Sequence, residues 1–287
     1  MENVLKICKH LFFALSEEAC EGEIIYIDHN ELDVDSANGI IRIFSDGVLR
    51  PYSCLVPSTV NFASLGLILG GKVFLGPEEI DLNSGDTVFS LKMSEKTDLS
   101  CNALGLFLPI DLKQRFRYLQ RAVELSSNAG CFQDLLLSSE SVPYSMDGLL
   151  THLTEAVKRE ELEAICEAAK NCSGLGNGRY PASDSLLCGF MQAYAAFSCA
   201  MGRNWEHVRQ INLAVLKGAA LNTSRDSGFM LWLASNGLSD EQGCYLFRCL
   251  LSDKSYPNLL GAATSAVSQN GSDWMIGICS FLRFFAF

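Results

Sequence analysis

The spacing of hydrophobic and polar residues changes part-way along the chain. Up to about residue 108, short apolar runs alternate with turn signals such as Asn-Gly, Asp-Gly and Gly-Gly. These runs predict strands over 23–28, 39–44, 48–56, 65–76 and 86–93. Strands spaced so closely are typical of an antiparallel β-sheet or a small barrel. Residues 1–17 are predicted to form a helix that precedes the sheet.

Beyond Pro109, the apolar residues recur every three or four positions, as helices require. Leu112, Phe116, Leu119 and Val123 show this spacing, and Asp111 stands near the predicted helix start. Further helices are predicted over 146–169, 184–201, 203–219, 225–236, 239–251, 257–268 and 272–284. The chain is therefore predicted to be an α+β protein with a β-rich region over 1–108 and a helical region over 109–287.

Composition excludes several classes of function. The 287 residues are 48% hydrophobic, which is enough for a sizeable core. The net charge is −11 and no basic stretch is clustered, so nucleic acids and anionic membranes are excluded as partners. The 12 cysteines contain no C-x-x-C pair, which indicates reduced thiols in a cytoplasmic protein. The first 20 residues make a poor signal peptide.

A segment without charge follows Asp184 and extends to Met201. It is shorter than the roughly 20 apolar residues that span a bilayer, so it predicts a buried helix instead. The four histidines are scattered, and no zinc-ligand spacing occurs. No metal site and no cofactor are therefore predicted from these residues.

A glycine-rich stretch, GLGNGRYPASDS, stands directly before this helix. Backbone N–H groups at a helix start attract anions, and glycine lets a ligand approach the main chain. The candidate residues for a small-anion site are Gly174, Gly176, Asn177, Gly178 and Ser183. The alternative is structural: Ser183 or Asp184 caps the helix, and the glycines form a tight turn.

Three stretches resemble the bacterial family of the AllH subunit of oxamate carbamoyltransferase, formerly a domain of unknown function. The first family motif, G-L-G-x-G-x-T-P-S-G-D-D-x-L-x-G, is kept at Gly174, Leu175, Gly176, Gly178, Pro181, Asp184, Leu187 and Gly189. This chain departs from it at Tyr180, Ala182, Ser183 and Ser185, the last in place of a second aspartate.

The second and third motifs are echoed further along. TSRDSGFMLWLASNG matches at Thr223, Ser227, Leu231, Ala234 and Gly237. SQNGSDWMIG matches at Gly271, Asp273 and Gly277, while the family's histidine and Thr-Ser pair are replaced. The early β-rich region is also similar to the family's, so the resemblance spans most of the chain.

The resemblance implies a role in anaerobic purine or allantoin breakdown. The family's enzyme interconverts oxalurate and phosphate with oxamate and carbamoyl phosphate, and it needs several different subunits. The implied ligand is a small anion such as carbamoyl phosphate or oxamate, and the implied partners are other carbamoyltransferase subunits. Asp184 and Asp273 would then bind an N–H group or a divalent metal such as Mg²⁺, because their charge repels phosphate. Arg179 is a candidate clamp for a carboxylate.

Two functions from different classes therefore stay open. One is a carbamoyltransferase-like enzyme subunit, and the other is a non-catalytic scaffold or regulatory member with a decayed site. The motif substitutions favour the second more than family membership alone would. The three motifs are expected to converge in space on one shared polar cleft.

Overall fold

The chain divides into two compact units, Met1–Leu99 and Ser100–Phe287. The computed structural model describes residues 2–3, 6–76, 79–84, 87–92, 95–103, 111–126, 130–132, 146–176, 180–252 and 256–285. The predicted boundary near residue 108 lies outside the described residues. A curled sheet followed by helices confirms the predicted α+β class.

The first unit is a curled sheet with one helix. Its strands are β1 (Glu2–Asn3), β2 (Lys6–Cys8), β3 (Cys20–Ile27), β4 (Glu31–Ser36), β5 (Gly39–Phe44), β6 (Ser53–Leu55), β7 (Lys72–Leu75), β8 (Glu79–Ser84), β9 (Thr87–Lys92) and β10 (Glu95–Thr97). A helix, α1 (Lys9–Glu17), and a 3₁₀ turn, Phe62–Ser64, complete the unit. The central strands β4 and β5 are buried on both faces: Leu32, Val34, Ile41 and Ile43 are buried, and so are Asp33 and Arg42 between them.

The sheet is mixed rather than purely antiparallel. Its order is β1-β9-β8-β7-β3-β4-β5-β6-β2-β10. Most neighbours are antiparallel, but β5–β6, β1–β9 and β2–β10 are parallel. The β1–β9 and β2–β10 pairs share one register, since Glu2 lies opposite Leu91 and Lys6 lies opposite Glu95. Residues 2–8 therefore lie alongside residues 91–97. The sheet therefore curls until its two ends meet.

Several predictions for this unit were wrong in detail. The strands predicted over 48–56 and 65–76 are limited to Ser53–Leu55 and Lys72–Leu75. Residues 6–8 form a strand, and the helix predicted over 1–17 begins only at Lys9. The sequence patterns also missed β4 and β8, whose aspartates and glutamates are uncommon in strands. In β4, the buried Asp33 lies opposite Arg42 of β5, with an oxygen–nitrogen distance of 3.6 Å. This cross-strand ion pair compensates the buried charge.

The second unit is helical. It consists of a 3₁₀ turn (Cys101–Ala103), α2 (Leu112–Leu125), α3 (Met146–Arg159), α4 (Leu162–Cys172), α5 (Ala182–Ala200), α6 (Trp205–Ala219), α7 (Arg225–Ser235), α8 (Glu241–Leu250), α9 (Tyr256–Asn270) and α10 (Ser272–Phe285). The helix predicted over 146–169 is two helices. The break falls at Glu160, whose positive φ of 58° ends α3.

The core of this unit surrounds α5. Nearly every residue of α5 is buried, and neighbouring helices cover it on several sides. The prediction of a buried helix after Asp184 is thereby confirmed. None of the described helices is long and apolar enough to cross a membrane.

All twelve cysteines are free thiols, as the sequence predicts. Burial raises the pKa of Cys54, Cys188 and Cys279, and it raises the pKa of Cys172 to about 12. Such thiols react slowly because the thiolate is the nucleophile.

Cys131 is exposed, whereas the other cysteines are buried or half-buried. We therefore expect Cys131 to react first with iodoacetamide at pH 8. Peptide mapping after brief labelling should find the adduct on Cys131 before it appears on any buried cysteine. Cys131→Ser should remove the fast phase. A fast phase on Cys54 or Cys279 would contradict the buried core.

Candidate functional site

The first motif forms a tight loop between α4 and α5. Gly174 and Gly176 have positive φ angles of 72° and 112°, which glycine adopts at little cost. A Cβ atom on Gly174 would lie 2.1 Å from the carbonyl oxygen of Asn222, and one on Gly176 would lie 2.8 Å from the backbone nitrogen of Ala182. The two glycines are therefore needed where the loop contacts the start of α5 and the residues before α7.

Ser183 joins this loop to the start of α5. Its hydroxyl accepts a hydrogen bond from the Leu175 N–H at 2.8 Å, and its own N–H donates to the Leu175 carbonyl at 3.1 Å. One of the N–H groups at the helix start is thus satisfied by the loop itself. Neither Ser183 nor Asp184 acts as the N-cap, which is Pro181.

Asp184 is the centre of the site. Its side chain is buried, and its carboxylate accepts a hydrogen bond from the Gly174 N–H at 2.9 Å. The hydroxyl of Ser227 donates to it at 2.7 Å, and the hydroxyl of Thr223 donates to the same carboxylate oxygen. Three donors thus satisfy the hydrogen-bonding capacity of this buried carboxylate.

The second motif supplies two of those three donors. Thr223 precedes α7, and Ser227 lies in its first turn, where Ser224 caps the helix by accepting from the Ser227 N–H at 3.2 Å. Asn222 also donates to the carbonyl of Lys170 at 2.9 Å, near the end of α4. The first two motifs therefore meet at Asp184, near the N-terminal ends of both α5 and α7.

Asp273, from the third motif, has partners of its own. Its carboxylate accepts from the backbone N–H groups of Cys131 at 3.1 Å and Phe132 at 3.0 Å. A Cβ on Gly130 would lie 2.6 Å from the same carboxylate. Burial raises the pKa of Asp273, although the two N–H donors oppose the rise.

The third motif contacts the first through glycines rather than through its aspartate. A Cβ on Gly189 of α5 would lie 2.0 Å from the Trp274 carbonyl, and one on Gly277 of α10 would lie 2.0 Å from the Leu186 carbonyl. These two contacts make α5 and α10 antiparallel. Asp184 lies near the N-terminal end of α5, and Asp273 lies near the N-terminal end of α10. Because the two helices are antiparallel, the two aspartates lie toward opposite ends of the helix pair. Gly271, with a φ of 87°, directly precedes α10.

Three candidate residues, Asn177, Gly178 and Arg179, lie outside the described residues. Among the described residues, no three His, Cys, Asp or Glu side chains cluster as a metal site would require. The segment 130–132 was not found from the sequence, because only a single glycine marks it.

Comparison with known families supports the resemblance stated from the motifs. Residues 172–282 match the model of the family described as oxamate carbamoyltransferase subunit AllH. The matched stretch contains all three motifs and lies within the helical unit. Searches of curated proteins and of solved structures found no match. The resemblance to this family is confirmed over residues 172–282.

Proposed function

We propose that the protein is a subunit of an oxamate carbamoyltransferase-like enzyme complex, and that its first two motifs bind a small anionic ligand. The family match over 172–282 is the observation that carries the proposal. The family is described as a subunit of oxamate carbamoyltransferase, so other subunits of the complex are the proposed partners. The proposed reaction is carbamoyl transfer between oxalurate or oxamate and phosphate, in purine or allantoin catabolism.

The geometry around Asp184 supports an anionic ligand. The N-terminal ends of α5 and α7 both lie beside the loop that Asp184 fixes, and helix N-termini favour negative charge. Asp184 already occupies the buried centre, so the ligand would bind toward the surface, at the glycine loop. There the positive ends of the two helix dipoles would stabilise its charge, because the N–H groups of Gly174, Leu175 and Ser183 already donate within the protein.

A metal-assisted step is not part of this proposal. Both hydroxyl groups donate to one oxygen of Asp184, so a divalent cation bound to that oxygen would have to displace them, while the other oxygen accepts from the Gly174 N–H. The residues around Asp184 thus fit a hydrogen-bonded carboxylate better than a Mg²⁺ ligand.

Melting curves with carbamoyl phosphate or oxamate test ligand binding. A ligand at about 100 times its Kd stabilises the protein by about 2.7 kcal/mol, which we expect to raise the melting temperature by about 5 °C or more. Arg179→Gln should reduce this shift, since it removes a candidate clamp for the anion. The matched control is Arg121→Gln, which changes an exposed arginine on α2 that pairs with Glu124.

Sulfate at equal ionic strength, and Mg²⁺ with and without each ligand, complete the experiment. A shift that sulfate reproduces would contradict specific binding. Absence of any shift in the wild type would contradict the ligand-binding part of the proposal.

One observation favours a second candidate function, a non-catalytic scaffold or regulatory member of the family. Three internal donors satisfy Asp184, so the kept glycines, hydroxyls and carboxylate have a purely structural explanation. Turnover of oxamate and carbamoyl phosphate, measured with and without partner subunits, separates the two candidates. Ligand binding without turnover in the complete complex would favour the scaffold.

A further inference from the structure

A groove on the surface of the helical unit is formed by α4 and α6. It has a volume of about 400 Å³ and is open to solvent. Leu162, Cys166, Leu213 and Ala214 form its apolar floor. Leu162 is 46% exposed, so part of this apolar surface is open to a partner.

The groove follows from how the two helices pack. A Cβ on Gly218 of α6 would lie 1.9 Å from the Cys166 carbonyl of α4, so the backbones of the two helices are in close contact there. Asn222 lies four residues after Gly218, and it donates to the carbonyl of Lys170, which lies four residues after Cys166. The two contacts advance in the same direction, so α4 and α6 are parallel. The α6 side of the groove shows the i, i+3, i+4, i+7 spacing of one helix face, which is the kind of face against which a second helix packs. Its residues are Gln210, Leu213, Ala214 and Lys217.

The walls of the groove differ in charge. Glu163 and Glu167 stand along the α4 side, and Lys217 stands at one end of the α6 side. Glu167 also lies 3.7 Å from Lys170, but both side chains are more than a third exposed, so this pair is weak. The acidic wall, on a chain with a net charge of −11, complements a cationic partner.

We propose that the groove between α4 and α6 binds an amphipathic helix of a partner protein. Its apolar face would lie on Leu162 and Leu213, and its lysines or arginines would face Glu163 and Glu167. The partner class rests on the proposed function, in which other subunits assemble with this chain. Because α4 leads directly into the loop fixed by Asp184, a partner in this groove would lie next to the proposed ligand site.

Two synthetic peptides of about 18 residues, or five helical turns, test the proposal. Both carry leucines on one face, and the flanking positions are lysine in one and glutamate in the other. Fluorescence anisotropy with the full-length protein should show that the lysine peptide binds at least tenfold more tightly than the glutamate peptide. This preference should diminish as salt is raised, since salt screens exposed charges.

Variants locate the binding on the groove. We expect two variants to lower the affinity for the lysine peptide at least tenfold. One is Leu162→Arg, and the other is the double variant Glu163→Lys with Glu167→Lys. Glu124→Lys on α2 is the matched charge control and should leave its affinity unchanged. All these positions are exposed, so the variants should stay folded, and the double variant should melt at a slightly lower temperature because Glu163 lies in the first turn of α4.

Three outcomes would overturn the proposal: equal binding of both peptides, no loss of affinity in the groove variants, or no binding at millimolar peptide. A wild-type dimer in sedimentation that Leu162→Arg dissociates would also overturn it, because the occupant would then be a second copy. No carbamoyl phosphate or oxamate is used here. A failure of this proposal is thus distinguishable from a failure of ligand binding at Asp184.

Discussion

Replacing Asp184 by alanine is expected to lower the free energy of unfolding by about 3 to 5 kcal/mol. The substitution removes the acceptor for the Gly174 N–H and for the hydroxyls of Thr223 and Ser227. These donors then lose their acceptor in the protein interior. The glycine loop, α5 and the start of α7 also lose the side chain that links them. Urea unfolding of the wild type and the variant would measure the loss.

Asp184→Asn separates charge from shape at the same position. The amide keeps one acceptor oxygen for the Gly174 N–H, and the two hydroxyls can rotate to accept from its nitrogen. We expect a smaller loss, about 1 to 2 kcal/mol. Asp147→Asn is a matched control, because Asp147 is an exposed carboxylate in the first turn of α3, 3.9 Å from Arg283. It should change stability by less than about 0.5 kcal/mol.

A loss below about 1 kcal/mol for Asp184→Ala would show that the carboxylate is not a central structural group. The helix-cap alternative predicts about that value, since an N-cap contributes roughly 1 kcal/mol. The size of the effect therefore distinguishes the cap from the three-segment connection.

The helical unit could be predicted well because its signals are local. Apolar spacing gave α5 to α10 to within a few residues, and a capping residue such as Asp111 marked the start of α2. The break between α3 and α4 was missed because no proline or glycine marks it. Glu160 takes the positive φ instead, and its carboxylate lies 2.9 Å from Arg203 and 3.2 Å from His207.

The sheet was predicted less well because its pairing is not local. β2 lies between β6 and β10, and β10 is far away in sequence. Nothing in residues 6–8 by themselves indicates this pairing. The acidic strand β4 depends on Arg42 of the neighbouring strand, and such compensation is visible only once the partners are known.

The sequence was enough to predict which residues form the candidate site, but not what each residue contacts. Motif resemblance identified Asp184, Thr223 and Ser227, which the structure brings together. It also grouped Asp273 with them, whereas Asp273 holds the segment 130–132. Two aspartates at similar helix starts look alike in sequence, and only their remote hydrogen-bond donors distinguish them.

The motif glycines on α5 and α10 lead to the second large prediction. Gly277→Ala is expected to cost at least about 3 kcal/mol, and Gly189→Ala a similar amount. Each new methyl group would lie 2.0 Å from a backbone carbonyl oxygen of the facing helix, far inside the van der Waals distance. A carbonyl in a helix cannot rotate away as a side chain can, so the two helices would have to separate.

Gly261→Ala and Gly148→Ala are matched controls, because both residues are on helices and a Cβ on either would meet nothing within 4 Å. Alanine is the better helix former by about 1 kcal/mol, so these variants should be neutral or slightly more stable. Chemical unfolding of the four variants side by side measures the difference. A loss below about 1 kcal/mol for both Gly189→Ala and Gly277→Ala would contradict the close antiparallel contact of α5 and α10.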